Sequence, residues 1–140
     1  MTESSLDLRV IGNCSFGALV DRQARVVWSC LPAFDGDPAF CSLLSPKGEG
    51  GDFAVELEDF ESSEQHYLPN TAVLRTVLRD SKGGEVEVID FAPRWRNNGR
   101  FYRPVSIIRQ IRPLAGNPRI VVRARPLADW GGRTPDTTWG

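Results

Sequence analysis

Histidine is almost missing from this 140-residue chain, and cysteine is sparse. The single His66, in Glu64-Gln65-His66-Tyr67-Leu68, has no second histidine, no nucleophile elbow and no metal-ligand spacing around it, so neither a catalytic triad nor a zinc site is expected. Its expected place is a half-exposed strand position. Cys14, Cys30 and Cys41 are an odd set without Cys-x-x-Cys spacing, which reads as reduced packing residues rather than a disulfide framework. No metal and no cofactor is expected. No run approaches the roughly 20 apolar residues of a membrane span, and Met1-Thr2-Glu3-Ser4-Ser5 lacks the basic, apolar and cleavable sections of a signal peptide. A cytoplasmic protein with no membrane partner is expected, and the glycosylation sequon Asn13-Cys14-Ser15 is expected to stay unused. A formal charge of −1 gives no drive toward nucleic acid.

What is present is the composition of a packed domain: 41% apolar residues, seven phenylalanines and four tryptophans. A chain of this length buries about two-thirds of its unfolded surface, enough for one core. Phe53, Val55 and Leu57 alternate with Asp52, Ala54 and Glu56, and Ile120, Val122 and Ala124 alternate with Arg119, Val121 and Arg123, the period of two of half-buried strands. Residues 16–20, 25–31, 72–79, 85–91 and 104–111 are short β-branched or aromatic runs that read as more central strands, with Trp28 in the core between sheets. Asp21 to Arg25 and Asp80 to Gly84 supply hairpin turns; Ala24 in a left-handed turn position would carry strain of about 1 kcal/mol. One short helix is expected, capped by Asp37, opened by Pro38, carrying Phe40, Leu43 and Leu44, and ended by Pro46 and Gly48.

The segments Ile11-Gly12-Asn13-Cys14-Ser15-Phe16-Gly17-Ala18-Leu19-Val20-Asp21 and Arg25-Val26-Val27-Trp28-Ser29-Cys30-Leu31-Pro32-Ala33-Phe34-Asp35-Gly36-Asp37-Pro38, with Glu56-Leu57-Glu58-Asp59-Phe60, Tyr67-Leu68-Pro69-Asn70-Thr71, Asp90-Phe91-Ala92-Pro93-Arg94 and Arg112-Pro113-Leu114-Ala115-Gly116, resemble the opening of bacterial glycoside hydrolase family 15 enzymes, the glucoamylase and trehalase-like group. The resemblance covers nearly the whole chain. Together with the periodicity it implies an all-β fold, an antiparallel two-sheet β-sandwich of the super-sandwich type with one short helix. It further implies that residues 1–130 form an accessory domain and 131–140 a severed linker toward a missing (α/α)6-barrel. In such enzymes that barrel carries the catalytic carboxylates and hydrolyses α-glucosidic bonds with inversion. No catalytic residue is assignable in this chain.

Two segments are the candidate domain-interface or substrate-entrance sites. The first is the Pro/Gly loop with Phe34, Asp35 and Asp37, whose carboxylates beside an aromatic suit an Asx-turn or helix cap first, contact with the catalytic domain second and sugar contact third. The second is Arg94, Trp95 and Arg96 within Pro93 to Pro104, where arginines interleave with aromatics in the manner of a protein interface. Glu56, Glu58, Asp59, Glu61 and Glu64 are dense but have nothing apolar beside them to raise one pKa, and they read as a solvated strand edge. The rival readings are a free-standing carbohydrate-binding module, which needs a row of aromatics on one sheet face, and a phosphate- or nucleic-acid-binding protein built on Arg94 to Arg103. Exposure of an interface without its partner leads to the expectation of a weak homodimer.

Overall fold

The computed structural model describes residues 6–44 and 50–139. Every strand pairing in it is antiparallel. The strands are β1 (Arg9–Gly12), β2 (Gly17–Val20), β3 (Val26–Cys30), β4 (Pro38–Phe40), β5 (Asp52–Leu57), β6 (Phe60–Tyr67), β7 (Leu74–Asp80), β8 (Glu85–Phe91), β9 (Trp95–Asn97), β10 (Arg100–Tyr102), β11 (Ile108–Ala115) and β12 (Ile120–Arg125). One sheet runs β1-β2-β3-β5-β12 with β4 added beside β3; the other runs β11-β8-β7-β6; β9 and β10 form a separate hairpin. The sheets face each other, β1 against β8 and β5 against β7, which makes the expected sandwich.

Two apolar clusters fill the space between the sheets. Ile11, Val20, Val26, Phe40 and Leu74 centre one; Val55, Leu57, Leu78, Val86 and Val88 centre the other. Each such side chain contributes about 1.5 to 3 kcal/mol by leaving water. The turns follow their local chemistry. Asp80 Oδ1 accepts the N–H groups of Lys82 and Gly84 at 2.8 and 2.7 Å, and a Cβ at Gly84 would stand 2.1 Å from that carboxylate, so this turn needs glycine there. Asp21 Oδ1 closes the β2–β3 turn on the N–H groups of Gln23 and Arg25, both at 2.9 Å. Ala24 does take the left-handed conformation, with φ 58°, and its methyl is fully buried in the second cluster. Burial of that methyl, worth about 0.8 kcal/mol, offsets the strain.

Buried carboxylates are held by arginines rather than left out of the sheets. Arg109, only 3% exposed, grips Asp90 with two hydrogen bonds of 2.7 and 2.9 Å. From β11 it also reaches the opposite sheet, donating to the Phe53 carbonyl at 2.6 Å and to the Ala24 carbonyl, with its guanidinium 4.7 Å from the Phe53 ring centre. Burial pushes the Asp90 carboxyl above its ordinary value and Arg109 works against that shift. Glu87 lies between Arg75 and Arg112, and Asp52 between Arg25 and Arg125. The exposed edge β1 is capped by the Tyr67 hydroxyl, which accepts the Val10 N–H and donates to the Val10 carbonyl.

The structure corrects several sequence expectations. Residues from Pro38 do not begin a helix: Pro38 and Phe40 point inward with period two on β4, and only Ser42–Leu44 form a single 3-10 turn. Pro46 and Gly48 lie outside the described residues. The strand expected at 104–111 starts later, at Ile108. Asp52, placed on a solvent face by alternation, is 2% exposed because two arginines follow it inward. On β12 Val121 and Val122 are both about half exposed, because this strand is a sheet edge rather than a covered one. Trp28 is only half-buried and meets Trp130 instead of filling the space between the sheets.

Candidate functional site at one end of the sandwich

The two candidate segments flank a third, the turn between β1 and β2. Gly12 opens it because a Cβ there would come within 2.8 Å of the Phe16 carbonyl oxygen. Asn13 then turns its side chain inward, 2% exposed, with Oδ1 accepting the Ser15 N–H at 3.0 Å. Its Nδ2 donates to the carbonyls of Pro93 at 3.1 Å and Pro104 at 2.8 Å. One amide thus fastens both ends of the segment that carries β9 and β10.

That segment is a tight hairpin. Asn98 and Gly99 take the left-handed conformation, φ 49° and 73°, as a two-residue turn requires. Trp95 stacks on Tyr102 with ring centres 5.5 Å apart and planes 12° apart. Arg94 and Arg96 lie over the Phe101 ring at 4.9 and 5.8 Å, and Arg94 Nη1 donates to Cys14 Sγ at 3.5 Å. Trp95, Phe101 and Tyr102 are each about half exposed. A groove of about 530 Å³ runs between the β1–β2 turn and this segment, lined by Asn13, Cys14, Val73, Phe91, Arg94 and Trp95 among others.

On the other side of the turn stands the loop from Leu31 to Asp37, closed by the Leu31 N–H on the Asp37 carbonyl at 3.2 Å and by the Gly36 N–H on the Ala33 carbonyl at 2.9 Å. The Leu31–Pro32 peptide bond is cis. Phe34 is 66% exposed, yet its ring edge rests over Gly17, where a Cβ would come within 3.1 Å of Phe34 Cε1. Asp35 is exposed. Asp37 does not cap a helix; its Oδ1 accepts the Trp130 indole N–H at 3.1 Å, and Trp130 in turn packs on Trp28 with ring centres 6.4 Å apart. Burial, reinforced by the Asp37 charge, pushes the Cys30 thiol above its ordinary value.

Phe34 therefore meets the β1–β2 hairpin at Gly17 and Arg94 meets its turn at Cys14, while Asp37 turns to Trp130. The dense carboxylates of 56–64 are elsewhere and apart: Glu56 pairs with Arg123, Asp59 with Lys82 at 2.6 Å, and Glu64 with Arg79 at 3.1 Å. His66 is exposed on β6. Sequence reasoning missed Asn13 as the fastener and Trp130 as the partner of Asp37. Both contacts span 80 positions or more, and no local pattern signals them.

A family model described as trehalase-like, N-terminal matches residues 6–135. The chain belongs to the trehalase-like N-terminal domain family. The match spans both sheets, the β9–β10 hairpin and the segment bearing Trp130, so the end of the sandwich described above lies inside the domain. No curated protein and no solved structure matches the chain. Among the described residues of this trehalase-like N-terminal domain, no helix is long and apolar enough to cross a membrane.

Proposed function

We propose that this trehalase-like N-terminal domain is the non-catalytic partner of an (α/α)6-barrel in a glycoside hydrolase family 15-like enzyme. The barrel hydrolyses α-glucosidic bonds of trehalose or an α-glucan, and the domain packs against it and stabilises it. The observation that carries this reading is the family match over residues 6–135. The chemistry of the chain agrees with a non-catalytic role. A glycosidase needs an acid and a base or nucleophile about 5 to 10 Å apart across the scissile bond, with the acid's pKa raised. Here Glu87 and Asp52 are buried against arginines, Asp90 is locked to Arg109, and Asp37 is engaged by Trp130.

The docking face in this reading is the end that carries Phe34, Asp35 and Asp37 with Arg94, Trp95 and Arg96, and residues 131–140 lead toward the barrel. With no barrel present, the same face associates weakly with a second copy. The test is direct. The chain alone, given trehalose, maltose or nitrophenyl α-glucoside, is expected to release no glucose, and adding it to a trehalase-like catalytic domain is expected to raise that domain's thermal midpoint. Turnover by the chain alone that vanishes in Glu56→Gln or Asp35→Asn would overturn the reading.

A further inference from the structure

Arginine is ion-paired almost everywhere on this domain. Arg9, Arg22, Arg25, Arg75, Arg79, Arg109, Arg112, Arg123, Arg125 and Arg133 each meet a carboxylate. Arg119 apart, the described arginines that meet none are Arg94, Arg96, Arg100 and Arg103, all in one short stretch around the β9–β10 hairpin. That concentration is not a property of a solvated tail. The hairpin is fastened at Pro93 and Pro104 by Asn13, turned tightly at Asn98-Gly99, and stiffened by the Trp95–Tyr102 stack. The Arg94 and Arg96 guanidinium carbons lie 4.9 and 5.8 Å from the Phe101 ring centre, with Arg94 Nη1 on Cys14 Sγ and no carboxylate against either.

We infer that the β9–β10 hairpin is the docking element of this domain, and that it receives an acidic surface loop of the catalytic domain, with a carboxylate of that loop forked by Arg94 at the mouth of the groove beside Cys14 and Trp95. The inference rests on the packing role proposed above and names its chemistry. Charge complementarity decides for carboxylates, because unpaired guanidiniums desolvated without an anion would oppose association. Aromatic walls decide for a polypeptide rather than a phosphate chain: an interface gains most from rigid Trp, Tyr and Arg anchors around a pocket, and a domain with net charge −1 has no field to gather nucleic acid.

The experiment is calorimetric titration of this chain into a trehalase-like catalytic domain whose own N-terminal domain has been removed, at low and high salt. The wild-type chain is expected to bind, and to bind less tightly as salt rises. Arg94→Glu with Arg96→Glu is expected to weaken binding by about 30-fold or more, whereas Arg94→Lys with Arg96→Lys keeps part of the affinity. Both pairs are exposed, and an unchanged thermal midpoint of each variant verifies that the sandwich is intact. Equal binding by wild type and the charge-reversed variant would overturn the hairpin as docking element and leave the packing role standing. No binding by the wild type would overturn both. Tight binding of an oligonucleotide lost in the charge-reversed variant would replace the carboxylate partner with a phosphate one.

Discussion

Trp130 donates its indole N–H to Asp37 Oδ1 at 3.1 Å, joining residues 93 positions apart at the surface of the first sheet. The bond anchors the segment after β12 onto the loop before β4, next to the Leu127 N–H bond to the Ala39 carbonyl at 2.8 Å. Trp130→Phe keeps ring area against Trp28 but removes the donor. It is expected to cost about 1 kcal/mol, read by urea unfolding. Asp37→Asn, which retains an acceptor oxygen, is expected to cost less than Asp37→Ala. Equal costs for the two Asp37 variants would show that the hydrogen bond contributes nothing.

The clamp of Arg109 on Asp90 predicts a larger effect. Arg109→Met leaves a fully buried carboxylate without its cation and two carbonyls of the facing sheet without a donor, an expected loss of about 3 to 5 kcal/mol. Adding Asp90→Leu removes the orphaned charge, and the double variant should recover much of that loss. A double variant less stable than Arg109→Met alone would mean that Arg109 works through the carbonyls rather than through Asp90.

Glu87 sets an acid dependence. The Arg75 guanidinium beside it holds its carboxyl below the ordinary value, against the opposing effect of burial and with help from Arg112. A carboxyl whose pKa is lower folded than unfolded contributes stability that is fully present above the unfolded value of about 4.5 and is lost as pH falls through the folded one. Stability of the wild type should therefore fall below about pH 4.5, and Glu87→Gln should flatten part of that fall while costing stability near neutrality. Parallel pH profiles for the two proteins would exclude Glu87 as a contributor.

Thiol labelling should rank the cysteines by structure. Cys14 is exposed on the β1–β2 turn, Cys30 is half-buried with its thiol pushed up by burial and by Asp37, and Cys41 is buried. Reaction with iodoacetamide near neutral pH is expected first at Cys14, with Cys41 last. Labelling of Cys41 before Cys14 in the folded protein would contradict the placement of β4.

What the sequence could show was set by distance along the chain. Alternation and turn chemistry are local, so β2, β3, β5, β7 and β8 and the Asp21 and Asp80 turns were legible. The helix expected from Pro38 failed because its apolar positions fit a period of two once β3 offered an edge to pair with. Trp28 looked like core because a run apolar on both faces hides which face meets the other sheet. Asp52 looked solvent-facing because a cation that follows it inward comes from Arg125, 73 positions away. The contacts of Phe34 with Gly17 and of Arg94 with Cys14 were illegible for the same reason.

The Asn13 amide has one further consequence, for the order of events in the life of the chain. Asn13-Cys14-Ser15 is a glycosylation acceptor, and the nitrogen that would carry the sugar is the same Nδ2 that donates to the Pro93 and Pro104 carbonyls. A glycan and the hairpin fastening compete for one atom, buried once the domain is complete. A copy sent through a secretory route would be modified only while nascent, and the sugar would then bar the 93–104 segment from closing onto the turn. Such a preparation should divide into bare, closed molecules and glycosylated, opened ones, separable by mass and by protease sensitivity between Pro93 and Pro104.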